Sequence, residues 1–147
     1  MKKHLQKLDD IEKELTLLGQ SLALLYWDQH TIMPEQATEE RGEQISYAVV
    51  TAHNKYISKE FMKTVKALSR KRNFSKLSNT NKIRIKKLKK NLEKAKKIPS
   101  KHVEEFSKLV SKAGQVWKEA KEKKDFKIFA PYLKKIIELN LKEAHYI

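Results

Sequence analysis

The positions of apolar residues along the chain predict helices. From Leu5 onward, leucine and isoleucine recur at steps of three and four, which predicts one face of a helix of about 25 residues. Leu17 and Leu24 widen this face, so we expect the last turns to be buried on more than one side. The helix should end near His30, because Pro34 has no amide hydrogen for a helical bond.

Five further helices are predicted by the same spacing and by residues that start helices. Pro34 suits the first position of a second helix that runs to about Tyr56, and Ser58 suits the N-cap of a short third helix. The remaining predicted elements are a polar loop over 73–81, a fourth helix over 81–97, a fifth helix from Pro99, a short turn capped by Asp125 and a sixth helix from Pro131.

The predicted fold is all-α, an antiparallel array of about six helices, three of them long, in a single helical domain over 1–147. Three glycines and three prolines are too few for the turns of a strand-rich fold. The lack of cysteine excludes disulfides and thiolate metal sites. With no secretory leader and no run of about 18 apolar residues, we expect a cytoplasmic protein without a membrane partner.

The charge is uneven along the chain. The net charge is +15, and residues 55–100 hold 17 basic and 2 acidic side chains. Such a concentration is compatible with a nucleic-acid interface. Only four of the 33 basic residues are arginine, however, and bidentate phosphate recognition favours arginine. We therefore favour solvated lysine-rich helix faces, and a stand-alone module that binds nucleic acid or another polyanion is the alternative.

The polar residues between the first two helices are candidates for a packed corner or for ligand contacts. We expect Trp27 and Trp117 to lie in the core, because large aromatic residues at helical spacing usually do. Asp28 and Gln29 are expected to form a hydrogen-bond pair that stabilises the corner, to which Thr31 can add bonds to free backbone groups. Contacts with a bound peptide are the alternative for these residues.

Two other features could indicate chemistry. His53 lies beside an apolar stripe and could be a metal ligand, but we expect a packing role. Glu39, Glu40 and Glu43 could form an acid-base pair, but near the start of a helix they are more simply explained as surface charges that interact with the helix dipole.

Several short motifs occur in the order and spacing seen in one enzyme family. The string over 24–34 resembles its Trp-Asp-Gln-x-Thr-x-Met-Pro signature, and later positions resemble its Ala-Trp-x-x-Ala and Asp-Phe-x-x-Phe-x-Pro sequences. By this resemblance, the chain is similar to the N-terminal helical region of the carboxypeptidase Taq family of zinc metallocarboxypeptidases. The matching residues are Trp27, Asp28, Gln29, Thr31, Met33, Pro34, Arg41, His53, Pro99, Trp117, Asp125, Phe126 and Pro131.

The resemblance implies a structural role for these residues. The family binds zinc through the two histidines of a His-Glu-x-x-His helix and a later glutamate, and removes C-terminal residues from peptides. This sequence has no such motif, so we expect no catalytic or metal-binding residue in it. It is interpreted as a fragment that is inactive alone and forms part of the wall of a substrate cleft.

The expected partners follow from this interpretation. The first is the C-terminal catalytic portion of such an enzyme, and the second is another copy of the chain, bound through exposed apolar helix faces. A chaperone-like or adaptor bundle with an exposed groove is a third interpretation.

Overall fold

The computed structural model describes residues 1–147 and contains helices and no strands. Four helices have 19 or more residues, and α1 is the longest, with 30. The all-α prediction is confirmed. The helices are α1 (Lys2–Thr31), α2 (Thr38–Tyr56), α3 (Lys59–Ser69), a single turn α4 (Lys71–Phe74), α5 (Asn79–Ala95), α6 (Ser100–Glu122) and α7 (Phe126–Tyr146).

The long helices pack side by side in the order α5, α3, α1, α2, α6, α7. Neighbours α1 and α2 run antiparallel, as do α2 and α6, and α6 and α7. Short connections account for the pairs α1–α2 and α6–α7, because consecutive helices joined by a few residues pack as antiparallel neighbours. Helices α2 and α6 are not consecutive, and α3, α4 and α5 lie between them in the chain. None of the helices combines the length and apolar character needed to cross a membrane.

The main apolar core lies where α1, α3 and α5 meet. Phe61 and Leu8 are completely buried there, and the ring of Tyr56 lies 5.4 Å from that of Phe61. Burial raises the pKa of the Tyr56 hydroxyl. Leu77 holds the α4–α5 connection onto this core. The buried core residues are Leu8, Ile11, Phe61, Val65, Leu68, Leu77, Ile85 and Leu92.

Small residues form the contact between α2 and α6. Ser107 on α6 donates a hydrogen bond to Ser46 on α2 at 3.0 Å, and both are buried. A Cβ atom added at Gly42 would lie 3.4 Å from Oγ of Ser111, so the two backbones approach closely. This contact depends on short side chains rather than on large apolar ones.

Side-chain caps define three helix starts. Ser58 accepts a hydrogen bond from the backbone amide of Phe61 at 3.2 Å, and Asp125 accepts one from Lys127 at 2.9 Å. Both caps are predicted from the sequence. The third, Ser78, accepts from the amide of Asn81 at 3.3 Å and starts α5 two residues earlier than predicted.

The sequence-based boundaries are wrong at two prolines and one loop. A 3₁₀ turn, Glu35–Ala37, follows Pro34, and α2 begins only at Thr38. Pro131 lies inside α7, because the Asp125 cap starts that helix at Phe126, one and a half turns before the proline. The predicted loop overlaps the last two residues of the single turn α4 and the first residues of α5.

Some apolar residues that we expected in the core are exposed. Leu17 and Leu24 face solvent, so the end of α1 is not buried on more than one side. On α5, the apolar spacing of the sequence includes Ile83, which is exposed, whereas Ile85 is buried. Helical periodicity identifies apolar faces, but the packing order decides which of them a neighbouring helix covers.

Candidate functional site

The sequence motif after Leu24 forms the corner between α1 and α2. The carbonyl of Asp28 accepts hydrogen bonds from the amides of Ile32 at 3.2 Å and Met33 at 3.0 Å, which ends α1. The hydroxyl of Thr31 donates to the carbonyl of Trp27 at 2.7 Å. Pro34 then adopts an extended conformation and turns the chain toward α2. The corner is therefore held by its own short-range hydrogen bonds.

Arg41 fixes the angle between the two helices. Its Nη1 atom forms an ion pair with Oδ2 of Asp28 and donates to the carbonyl of Leu25 at 3.2 Å. Its Nε atom donates to Oε1 of Gln44 at 2.9 Å. The Arg41 and Asp28 side chains are only 17% and 29% exposed, so water screens this pair less than it would a surface pair.

Gln29 ties the same corner to α6. It is 4% exposed, and its Nε2 atom donates to Oγ of Ser111 at 2.7 Å. Asp28 and Gln29 thus stabilise the corner as expected, but they do so through separate partners on α2 and α6. The expectation that they pair with each other is wrong, because neighbouring residues of a helix face different directions.

A polar cleft of about 450 Å³ opens beside this corner, between the start of α2 and α6. No apolar residue lines it, and Lys108 within it pairs with Glu43 and Glu104 at 3.0 Å each. The hydrogen bonds that Lys108 donates, first to Glu43 and then to Glu104, raise the pKa of Lys108. Glu39 and Glu40 lie exposed in the first turn of α2. The glutamates are surface charges, as predicted, and they form no acid-base pair.

The histidines lie apart from one another and do not form a metal site. Nε2 of His53 lies 3.1 Å from the carbonyl of Ile98, which agrees with the predicted packing role. Nε2 of His102 lies 3.2 Å from Oε2 of Glu143, and its buried Nδ1 atom has no partner. No group of three or more histidine, aspartate or glutamate side chains could hold a metal ion. These residues do not fit the zinc site that the resemblance implies.

The two tryptophans are not core residues. Trp27 is 59% exposed and Trp117 is 49% exposed, and Nζ of Lys121 lies 5.1 Å from the Trp117 ring. Both lie on helix faces that no other helix covers. The core expectation for both is therefore wrong.

Sequence reasoning missed the polar residues that connect α2 and α6. Gly42 and Ser46 lie one turn apart on α2, and Ser107 and Ser111 lie one turn apart on α6. This spacing of small residues is a signal that could have predicted the close approach of two helices. The partner of Gln29 had no such signal, because Ser111 lies 82 residues further along the chain.

Comparisons with known proteins agree with the motif order. A sequence model of the carboxypeptidase Taq (M32) metallopeptidase family matches residues 7–147. The chain is 34% identical over 131 residues to Carboxypeptidase 1 of Bacillus subtilis, covering 89% of this chain and 26% of that protein. It is 27% identical over 135 residues to Thermostable carboxypeptidase 1 of Pyrococcus furiosus, covering 92% and 26%.

Solved structures show the same helical arrangement. The crystal structure of BsuCP matches with a TM-score of 0.93 and 32% identity, covering 98% of this chain and 29% of that chain. The M32 carboxypeptidase from Deinococcus radiodurans matches with a TM-score of 0.74 and 33% identity, covering 98% and 28%. The chain spans about a quarter of the length of the curated relatives it matches, 26% in the first two. Over that span, the chain belongs to the carboxypeptidase Taq (M32) metallopeptidase family.

Proposed function

We propose that these 147 residues form the helical part of an M32 carboxypeptidase and do not hydrolyse peptides by themselves. Their function is to pack against the metal-bearing segment of such an enzyme and to form part of the wall of its substrate cleft. The activity proposed for the assembled enzyme is removal of C-terminal residues from peptides. The observation that supports this most is the uncovered apolar face of α7.

This face runs along the whole of α7. Its residues recur at steps of three and four, and the side chains of Ile137 and Leu141 are 50% and 59% exposed. The opposite side of α7 packs against α6 through buried Leu139 and through Glu143. An amphipathic helix normally turns its apolar stripe toward a neighbour. The apolar face comprises exposed Phe126, Ile137, Leu141 and Ala144 and half-buried Ala130 and Leu133.

Helix α6 adds a second uncovered apolar stripe. Val110 and Trp117 lie two turns apart on one face, and both are exposed. Exposed apolar residues on adjacent helices are typical of surfaces that another protein segment covers. The matched relatives are much longer than this chain, and this supports another segment of the same family as the partner that covers these faces.

The proposed location of the metal is argued from the ligands that are present. A catalytic zinc site needs three protein ligands around one ion, and the histidines of this chain lie on separate helix faces. We therefore place the metal, and with it the hydrolytic step, outside these 147 residues.

The test is reconstitution from two polypeptides. The chain is co-expressed with the part of the Bacillus subtilis relative that it does not match, and we expect the two to copurify and to release C-terminal residues from a peptide. The double variant Ile137→Asp, Leu141→Asp should abolish copurification. The matched control is Tyr47→Asp, Ile83→Asp, which places the same charges on exposed apolar positions of α2 and α5.

Three results would contradict parts of this proposal. Equal loss of binding in both double variants would show that the α7 face is not the contact. Cleavage of a peptide by the 147-residue chain alone, stopped by a chelator, would show that it holds its own metal. A dimer of the chain that the α7 variant dissociates would identify a second copy as the occupant of this face.

The second candidate function is a basic module that binds nucleic acid. It is favoured by the 17 basic and 2 acidic residues over 55–100. Its test is the affinity for a DNA duplex at several salt concentrations, because each neutralised phosphate contributes a slope of about 0.9 to the logarithmic plot. A flat plot with weak binding would leave this candidate without support.

A further inference from the structure

A groove with basic walls lies between α3 and α5. It encloses about 460 Å³ and is lined by ten residues, five of them lysines. We call it the lysine groove. Lys59, Lys63 and Lys66 form its α3 wall, and Lys89 on α5 and Lys96 directly after α5 form the other wall.

Four of these five ammonium groups have no acidic partner within the chain. Lys96 pairs with Glu93, whereas Lys59, Lys63, Lys66 and Lys89 form no ion pair. Most lysines elsewhere in the chain are also unpaired, and Lys7, Lys55, Lys108 and Lys123 are the exceptions. The groove is distinguished by the number of lysines that line one cavity, five of them against one carboxylate, that of Glu93. Like charges one turn apart destabilise a helix, so carboxylates bound in the groove would reduce the repulsion among its lysines.

The base of the lysine groove is apolar. Val65 and Leu92 are buried beneath it, and Met62 is half-buried within reach of a ligand. The flexible methionine side chain adapts to different apolar partners, and the methylene stems of the lysines extend the apolar surface up the walls. No aromatic residue and no arginine lines the groove.

These features favour a protein ligand over a nucleic acid. Single-stranded nucleic acids bind where aromatic side chains stack on their bases, and arginine is the preferred bidentate partner of phosphate. An apolar base between lysine walls matches instead a helix with one apolar face and acidic residues along both edges. We propose that the lysine groove binds an acidic amphipathic helix of a partner protein.

The dimensions of the groove set the length of this helix. The 11 residues of α3 extend for about 16 Å at 1.5 Å per residue. A partner helix of about 12 to 15 residues would cover the groove and bring its acidic edges near both walls.

The test uses the full chain and a fluorescein-labelled peptide of about 14 residues, with leucines at helical spacing and glutamates along both edges. Two control peptides separate the contributions of charge and shape. One replaces every glutamate by lysine, and the other keeps the composition but spreads the leucines around the helix. A single-stranded oligouridine of equal charge is the nucleic-acid probe. Binding is measured by fluorescence anisotropy at low and moderate salt.

Two variants locate the contact. Lys63→Glu, Lys89→Glu should weaken binding of the acidic amphipathic peptide by about tenfold or more. The control Lys127→Glu, Lys135→Glu makes the same charge change on exposed positions of α7 and should change the affinity by less than about threefold. Met62→Gln leaves the charge unchanged and should weaken binding several-fold. Circular dichroism confirms that each variant is folded.

Each other result would overturn the proposal. Binding of the redistributed peptide as tight as that of the amphipathic one would show that only charge is recognised. Equal loss in the groove variant and the α7 control would show a non-specific effect of net charge. Tighter binding of oligouridine, lost in the groove variant, would assign the groove to nucleic acid. No binding at about millimolar peptide would show that the groove takes no such helix.

Discussion

Arg41 connects more groups than any other side chain at the corner between α1 and α2. It pairs with Asp28 and donates to the Leu25 carbonyl and to Gln44, so it bonds both the backbone and the side chains of its neighbours. Lysine could not replace these contacts, because the planar guanidinium presents several donors in fixed directions. The match of Arg41 to the family motif is thus explained by the geometry of a corner and needs no contact with a ligand.

Replacement of Arg41 by alanine should therefore destabilise the chain. We expect Arg41→Ala to lower the free energy of unfolding by about 1 to 3 kcal/mol, because Asp28 would remain partly buried without its partner. Urea denaturation measures this change. The control is Arg70→Ala, which removes an exposed arginine and should have an effect within about 0.5 kcal/mol. Equal midpoints for the two variants would contradict the importance of the corner.

At the scale of helices, two features could be predicted from the sequence: the residues that cap helices and the helical spacing of apolar residues. Ser58 and Asp125 cap α3 and α7. Such caps can be predicted from the sequence, because the side-chain oxygen bonds an amide only two or three residues further along the chain. The start predicted at Pro131 is wrong, because the Asp125 cap lies six residues earlier and the helix continues through the proline.

The contribution of the Ser58 cap to stability can be measured directly by substitution. Ser58→Ala should lower the free energy of unfolding by about 1 kcal/mol, because the amide of Phe61 would lose its acceptor next to the buried core. Ser58→Asp keeps an acceptor and should restore most of the stability. A loss of equal size in both variants would indicate that Ser58 acts through something other than capping.

The faces that the helices cover could be predicted only in part. Leu8 and Leu24 belong to the same helix, yet the first is buried and the second is exposed. Trp27 and Trp117 are also exposed, because no other helix covers the faces on which they lie. The reason is physical: a local pattern sets the direction of a side chain but carries no information about which distant helix lies opposite.

At the scale of the whole molecule, ion pairs join the basic and acidic parts of the chain. Lys7 on α1 pairs with Glu60 on α3 at 2.6 Å, and Arg84 on α5 pairs with Asp9 and Glu12 on α1. These contacts offset part of the repulsion among the lysines of α3 and α5. Stability should consequently depend on the ionisation of a few carboxylates.

The ion pair between Glu60 and Lys7 should make the stability of the chain depend on pH. The hydrogen bond from Lys7, followed by its charge, lowers the pKa of Glu60 below its usual value of 4.5. A lowered pKa in the folded state contributes stability above the unfolded pKa, and this stability is lost as the pH falls through the folded value. Urea midpoints measured from neutral to acid pH should therefore decrease less steeply for Glu60→Gln. A steeper decrease would contradict the assignment.

The position of α7 at the edge of the array has a consequence for its dynamics. It packs extensively against α6 alone, and Leu139 is its only buried residue. Local unfolding begins in elements with few buried contacts, so α7 amides should exchange hydrogen before those of α2. A protein that covered its outer side would slow this exchange selectively, and the C-terminal helix would then report occupancy without any change in the remaining fold.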